Sequence, residues 1–211
     1  MNKTAKEELR TLFIDNGDIA SMHGVERVIH PAEKYQDNPV VVGDKPWEAH
    51  EVWLGGSVRK ENGRYRMWYQ KQGTGPSQLE GNLPGLLNLY AESEDGINWI
   101  KPVLKQYEDN NSSLENNIYL SRLALRSNNR APTTVKQDID PSVLHTPHLG
   151  NGQTYTLLSY DYGRSGYSAY DGYFLAFSDD GVHWTDGPDD PVIPGHADFG
   201  WFTYDQNDRI F

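Results

Sequence analysis

The sequence contains no cysteine, which excludes disulfide staples, thiolate metal sites and thiol nucleophiles. Basic residues are scarce too: nineteen Lys and Arg stand against thirty Asp and Glu, a formal charge of −11, with no local basic patch. That balance repels phosphate backbones and anionic headgroups, so neither nucleic acid nor membrane is expected as a partner. No long apolar run occurs, which excludes a membrane-spanning helix. The polar start, Met1-Asn2-Lys3-Thr4-Ala5-Lys6-Glu7-Glu8, is not a signal-peptide core, and by default predicts a cytoplasmic location. Also missing are a phosphate-cradling glycine loop, a Gly-x-Ser-x-Gly elbow, a His-Glu-x-x-His pair and any nucleic-acid module.

What is present is a chain of 211 residues, 36% hydrophobic, with Tyr 13 and Trp 6 against Phe 6. Most of its aromatic surface therefore carries a polar tip, which suits β-sheets and wet, partly apolar ligands. Helical periodicity is rare, while short β-branched and aromatic runs recur between Gly, Asn, Asp and Pro clusters. The chain reads as all-β and as one domain, residues 1–211. Strands are predicted over 52–59, 64–69 and 87–92, with Glu61-Asn62-Gly63 as a tight hairpin turn. A Gly/Pro-rich loop is expected over 72–85, a surface connection over 109–117, and a short helix over 121–126.

Repetition is the informative feature. Tyr90-Ala91-Glu92-Ser93-Glu94-Asp95-Gly96-Ile97-Asn98-Trp99 returns 85 residues later (178 − 93) as Leu175-Ala176-Phe177-Ser178-Asp179-Asp180-Gly181-Val182-His183-Trp184. Each copy follows a hairpin built on Gly and Tyr, so the unit has about four strands. A third unit begins at Gly200-Trp201-Phe202-Thr203-Tyr204-Asp205. Four-stranded units at this spacing predict a β-propeller, here two blades plus the start of a third, with further C-terminal blades needed to close the ring. The alternative is a β-sandwich whose two motifs merely mark similar hairpins. In Ser-x-Asp-Gly-x-x-Trp, Asp and Gly supply a turn and Trp folds back to bury roughly 150–250 Å². Asp95 and Asp180 are thus read as scaffolding.

These motifs, together with Leu12-Phe13-Ile14-Asp15, Asn38-Pro39-Val40-Val41, Pro46-Trp47-Glu48 and Gly63-Arg64-Tyr65-Arg66-Met67-Trp68-Tyr69, resemble the five-bladed propeller glycosidases. The likeness is closest to the bacterial family 32-like and family 43-like glycoside hydrolases of the arabinanase, levansucrase and invertase grouping, from about Leu12 onward. It implies a poly- or oligosaccharide substrate cleaved by paired carboxylates without a cofactor or metal. It further implies that the acids come from the innermost strands of the first three blades, which selects Glu48, Asp140 and Asp198 as catalytic candidates. Trp47, His50, Glu51, His145, His196 and Trp201 are the candidate substrate-binding residues. His145, His148 and His196 lack a tight metal-ligand spacing. The invertase-type Asn-Asp-Pro motif is absent, Asp37-Asn38-Pro39 carrying the same residue types in another order. A propeller that binds carbohydrate without cleaving it is the alternative reading, since stacking needs rings but no paired acids.

Overall fold

The computed structural model describes residues 15–17, 19–48, 52–72, 86–109, 113–121, 139–147, 152–161, 172–188, 190–195 and 200–205. The chain divides into two compact units, Met1–Gln36 and Asp37–Phe211. The described part of the first has neither helix nor strand. It is organised locally by the Asp15 carboxylate, which accepts the Gly17 N–H at 2.7 Å, and by Arg27, which donates to the Asn16 side chain at 2.9 Å.

The second unit is all-β, with antiparallel sheets and, among the described residues, one 3-10 turn, Pro46–Glu48. One sheet comprises β1 (Val52–Glu61), β2 (Arg64–Gln72), β3 (Leu86–Ser93), β4 (Trp99–Ile100) and β5 (Ile118–Ser121). The other comprises β6 (Ile139–His145), β7 (Tyr155–Asp161), β8 (Gly172–Ser178), β9 (Thr185–Asp186) and β10 (Ile193–Pro194). Both are meanders of three long strands, β1-β2-β3 and β6-β7-β8, whose outer edge carries two short pieces: β4 and β5 on β3, β9 and β10 on β8. The predicted fourth strand is thus split in two. Pro102 and Pro188 follow β4 and β9 within two residues, and a residue without an N–H cannot extend the ladder. Asn62 and Gly63 take positive φ (50° and 83°) and close the β1–β2 hairpin on the Glu61–Arg64 pair, as the Asn-Gly dipeptide predicts. Ser121 ends β5; the rest of the expected helix lies outside the described residues, as do 73–85 of the expected loop.

Side chains alternate along each strand, so every sheet offers two apolar faces. In the first sheet Met67, Tyr69, Leu87, Leu89 and Ala91 point one way. Trp68 and Tyr90 point the other, into a cluster shared with Val143, Tyr155, Leu157, Ala176 and Val182 of the second sheet. This common cluster is what packs sheet on sheet. The far face of the second sheet carries Leu158, Tyr160 and Tyr173, with Phe202 of the third repeat packed against them. Gly200 lets the chain pass close to Tyr173: a Cβ there would come within 2.3 Å of the Tyr173 hydroxyl, and the ring would have to shift.

The two Ser-x-Asp-Gly turns have the same internal bonding. Ser93 Oγ accepts the N–H of Gly96 at 2.8 Å, and Ser178 Oγ that of Gly181 at 2.8 Å. Asp95 Oδ1 accepts the N–H of Ile97 and Asn98 at 2.8 and 2.7 Å; Asp180 Oδ1 accepts those of Val182 and His183, both at 2.8 Å. The other carboxylate oxygen takes the side chain of Asn98 or His183 at 2.7 Å. With the Ser93 or Ser178 hydroxyl also on Oδ1, at 3.0 or 3.1 Å, each aspartate is engaged by four groups of its own turn, in keeping with the scaffolding role.

Candidate functional site

β1 and β6, the first strands of two repeats, lie side by side, and the start of the third repeat joins β6 in the same way. Ser57 Oγ on β1 accepts the N–H of Val143 on β6 at 2.9 Å, and Ser142 Oγ on β6 accepts the N–H of Phe202 in the third repeat at 3.1 Å. The two serines are themselves one repeat apart (142 − 57), and each sits just after a β-bulge. A bulge bends its strand and frees the neighbouring side chain from the ladder, which lets the hydroxyl reach the next repeat. Strands joined in this way run in the same direction: Gly56 approaches Pro141, Ser57 meets Val143, and Glu61 reaches Tyr155, which pairs with His145.

A cavity of about 270 Å³ opens where these strands meet, lined by 57–59, 143–145 and 202–204. Ser57, Arg59 and Glu61 share one side of β1, the side that faces the second sheet. Arg59 Nε donates to Glu61 Oε1 at 2.7 Å. The Tyr155 hydroxyl donates to Glu61 Oε2 at 2.6 Å and accepts from Arg66 at 2.8 Å. Burial pushes the Glu61 carboxyl up, but the Tyr155 hydroxyl and the Arg59 guanidinium, with Arg66 behind them, outweigh it and hold the group below its ordinary value. The Tyr155 phenol is held in its neutral form by burial and by the adjacent Glu61 charge. His145 sits edge-on to the Tyr155 ring, 5.5 Å between centroids.

Arg66 also joins the two sheets. It donates to the Tyr90 hydroxyl at 2.6 Å and to the Asp180 carbonyl, and its guanidinium lies 5.0–5.2 Å from the ring centres of Trp68, Tyr90 and Tyr155. The Trp68 indole donates to the Gly181 carbonyl at 2.7 Å.

Glu48, expected as a catalytic acid, lies in an internal ion pair. It is fully buried, and it accepts from the Tyr69 hydroxyl at 2.7 Å, from the Lys45 N–H at 3.0 Å and from Lys101 Nζ at 2.7 Å. Lys101 in turn donates to Asp44 at 2.6 Å and to the Val42 carbonyl at 2.7 Å. The hydrogen bond from Lys101 holds the Asp44 carboxyl down to about 2, against a smaller desolvation effect. Burial, reinforced by the Glu48 charge, pushes the Tyr69 hydroxyl far above its ordinary value, so it stays a donor. Glu48 is therefore an internal ion-pair acceptor with no face open to a sugar. Trp47, expected to stack on substrate, packs instead against the Met67–Leu89 face and donates its indole N–H to Asn117 at 2.8 Å.

Of the other candidates, His50, Glu51, His148, His196 and Asp198 lie outside the described residues, and so does the side chain of Asp140, which occupies β6 next to Pro141. The structure brings His145 to the cavity and leaves Trp201, next in sequence to the cavity's Phe202, 65% exposed. Arg59, Glu61, Arg66, Tyr155 and Tyr204 escaped the sequence reading. The one available signal is the i, i+2 run Ser57, Arg59, Glu61, three polar side chains on a single strand face. Among the described residues no group of three or more His, Asp or Glu is arranged to hold a metal ion, and no helix is long and apolar enough to cross a membrane.

No family model matches the sequence, and no curated protein does. Among solved structures the chain is similar to a candidate glycoside hydrolase from Parabacteroides distasonis ATCC 8503, with 20% identity and a TM-score of 0.41 over 74% of this chain and 41% of that one. It is also similar to Zg3597, a family 117 glycoside hydrolase of the marine bacterium Zobellia galactanivorans (18%, TM-score 0.39, 67% and 39%). A third is sucrose-6-phosphate hydrolase from Lactobacillus gasseri (14%, TM-score 0.38, 70% and 25%). The chain thus spans well under half the length of these structures, and with TM-scores below 0.5 the likenesses carry no weight for its chemistry.

Proposed function

We propose that the chain belongs to a glycoside hydrolase-like β-propeller that cleaves poly- or oligosaccharides with carboxylates drawn from separate blades. The observation that supports this reading is the repeated serine link, Ser57 to Val143 and Ser142 to Phe202, which sets β1 beside β6 and β6 beside the start of the third repeat. Acids near the starts of those strands then share one end of the bundle. Glycoside hydrolysis needs two such acids, one protonated toward the leaving oxygen and one ionised. Asp140 and Asp198 keep their proposed roles in the second and third repeats. With Glu48 occupied by Lys101, Glu51 takes its place as the acid proposed for the first.

The test is release of reducing ends by the full-length protein across plant and microbial polysaccharides. Asp140→Asn, Asp198→Asn and Glu51→Gln are each expected to lower turnover about 100-fold or more, the usual weight of a general acid or base. Wild-type rates in all three would overturn the assignment. A second reading, carbohydrate binding without cleavage, is favoured by one observation: the described cavity presents Arg59, His145, Thr203 and Tyr204 and no carboxylate. Bound glycan with no reducing ends released would select it.

A further inference from the structure

The cavity between the first strands lies toward the opposite end of β6 from Asp140. Five residues separate His145 from that aspartate, roughly 16 Å at about 3.3 Å per residue. Its polar walls are not used by the proposed hydrolysis. Arg59 is committed through Nε alone, to Glu61, so both terminal nitrogens of the guanidinium are without a partner among the described residues. His145 holds its place by the contact with Tyr155, and neither ring nitrogen has a protein partner among them. Thr203, in the third repeat, adds an exposed hydroxyl to the rim.

These groups are fixed from behind. Tyr155 backs both, donating to the Glu61 carboxylate that aims Arg59 and stacking edge-on with His145. Arg66 closes the set at 3.5 Å from Glu61, so that Arg59, Arg66 and Glu61 together carry one net positive charge. A planar guanidinium with two free parallel donors matches a carboxylate, bidentately and with charge assistance. The formal charge of −11 opposes an anion at long range, but exposed charges beyond about 8 Å are screened at physiological salt, which leaves the local field of Arg59 in control. The volume of about 270 Å³ is below the roughly 300–1,000 Å³ of drug-sized ligand sites, so the occupant is small.

We propose that this cavity is a binding site for a small carboxylate ligand of sugar-acid size, with Arg59 clasping the carboxylate and His145 and Thr203 contacting hydroxyls. The choice of a sugar acid among carboxylates rests on the carbohydrate reading above; the anion site itself does not.

The probes are D-glucuronate and D-glucose, titrated into the full-length protein by calorimetry. Glucuronate is expected to bind at least tenfold tighter than glucose. Arg59→Ala should lower its affinity about tenfold or more, and Arg59→Lys, which keeps the charge but loses the fork, severalfold. His145→Gln is expected to lower it severalfold, and Arg27→Ala, in the N-terminal unit, not at all. Arg59→Lys serves as the readout if the alanine variant does not fold. Equal affinity for the two sugars, or wild-type glucuronate affinity in the Arg59→Lys protein, overturns the proposal. A protein that cleaves no glycan yet binds glucuronate through Arg59 would sink the hydrolase reading and leave this site standing.

Discussion

The two Ser-x-Asp-Gly turns share the hydrogen bonds that their Ser and Asp side chains make to the turn amides, and differ in what surrounds them. The first, at 93–99, is the more open: Ile97 is 41% exposed, and the atoms nearest to a Cβ on Gly96 belong to Tyr65 of its own sheet. The second, at 178–184, is clamped to the neighbouring sheet by Arg66 and Trp68, and the equivalent Val182 is 8% exposed within the common core. The Trp99 indole closes on its own turn, donating to the Gly96 carbonyl at 3.0 Å. Trp184 instead packs against the intersheet cluster, and its buried N–H has no partner among the described residues. The motif is thus a self-sufficient turn, and the preceding repeat turns it into a joint. Identical local chemistry has a different energetic weight in the two places.

The largest expected effect breaks the joint itself. Trp68→Ala empties the fully buried platform under the second turn and should cost roughly 3–5 kcal/mol in chemical denaturation, with the turn 178–184 losing amide protection before 93–99 does. The first sheet's other face gives a reference on the same scale. Glu48→Gln removes one of the two carboxylates that pair with buried Lys101, leaves it only the half-exposed Asp44, and should destabilise by about 1–3 kcal/mol. Unchanged stability in that variant would show that Glu48 is not the anchor described.

A glycine pair sharpens the contrast further. Gly96→Ala and Gly181→Ala both force a side chain into left-handed φ (80° and 77°), which costs about 1–2 kcal/mol in either turn. Only at Gly181 does the new methyl also meet Arg66 and Trp68, at 3.0 Å. The second substitution should therefore be the worse by about 1–3 kcal/mol from overpacking, read as the difference in denaturation midpoints. Equal losses would mean that the joint yields freely.

The smallest effect lies in acid. Burial alone would raise the Asp180 carboxyl, but the His183 and Val182 N–H groups and the His183 ring outweigh it and hold it at about 2. Hydrogen bonds from Asn98 and Ile97 hold Asp95 well below the ordinary range. A carboxyl depressed on folding stabilises above its unfolded value, near 3.9, and that stability is lost as pH falls through the folded value. Stability should hence decline between about pH 4 and pH 2. Asp180→Asn is expected to flatten part of that decline, as seen by circular dichroism across the pH series.

Much of the fold was legible in the sequence because its signals are local. The Asn62-Gly63 hairpin, the three strands of the first meander and the Ser-x-Asp-Gly turns all depend on residues within a few positions of one another. The split fourth strand was missed although Pro102 and Pro188 announce it. The candidate site was less legible. Glu48 sits beside Trp47 in a stretch rich in acids and rings, which reads as a sugar site, yet its fate is decided by Lys101, 53 positions away. Arg59 reads as an ordinary solvated strand residue until Tyr155, 94 positions from Glu61, is brought against it. Pairings at such separations are products of the assembled sheets, and no local pattern encodes them.

The serine link has a consequence for how such a chain grows or shrinks. Among the described residues the repeats meet here through a hydroxyl and an amide, not through a continued β-ladder, and the second repeat carries both halves of that fastening, the Val143 amide and the Ser142 hydroxyl. A duplicated copy would find a matching socket on its predecessor and offer the same plug to its successor. Copying or deleting a whole module then leaves every seam chemically familiar, so the number of modules becomes a variable that heredity can adjust without inventing a new interface.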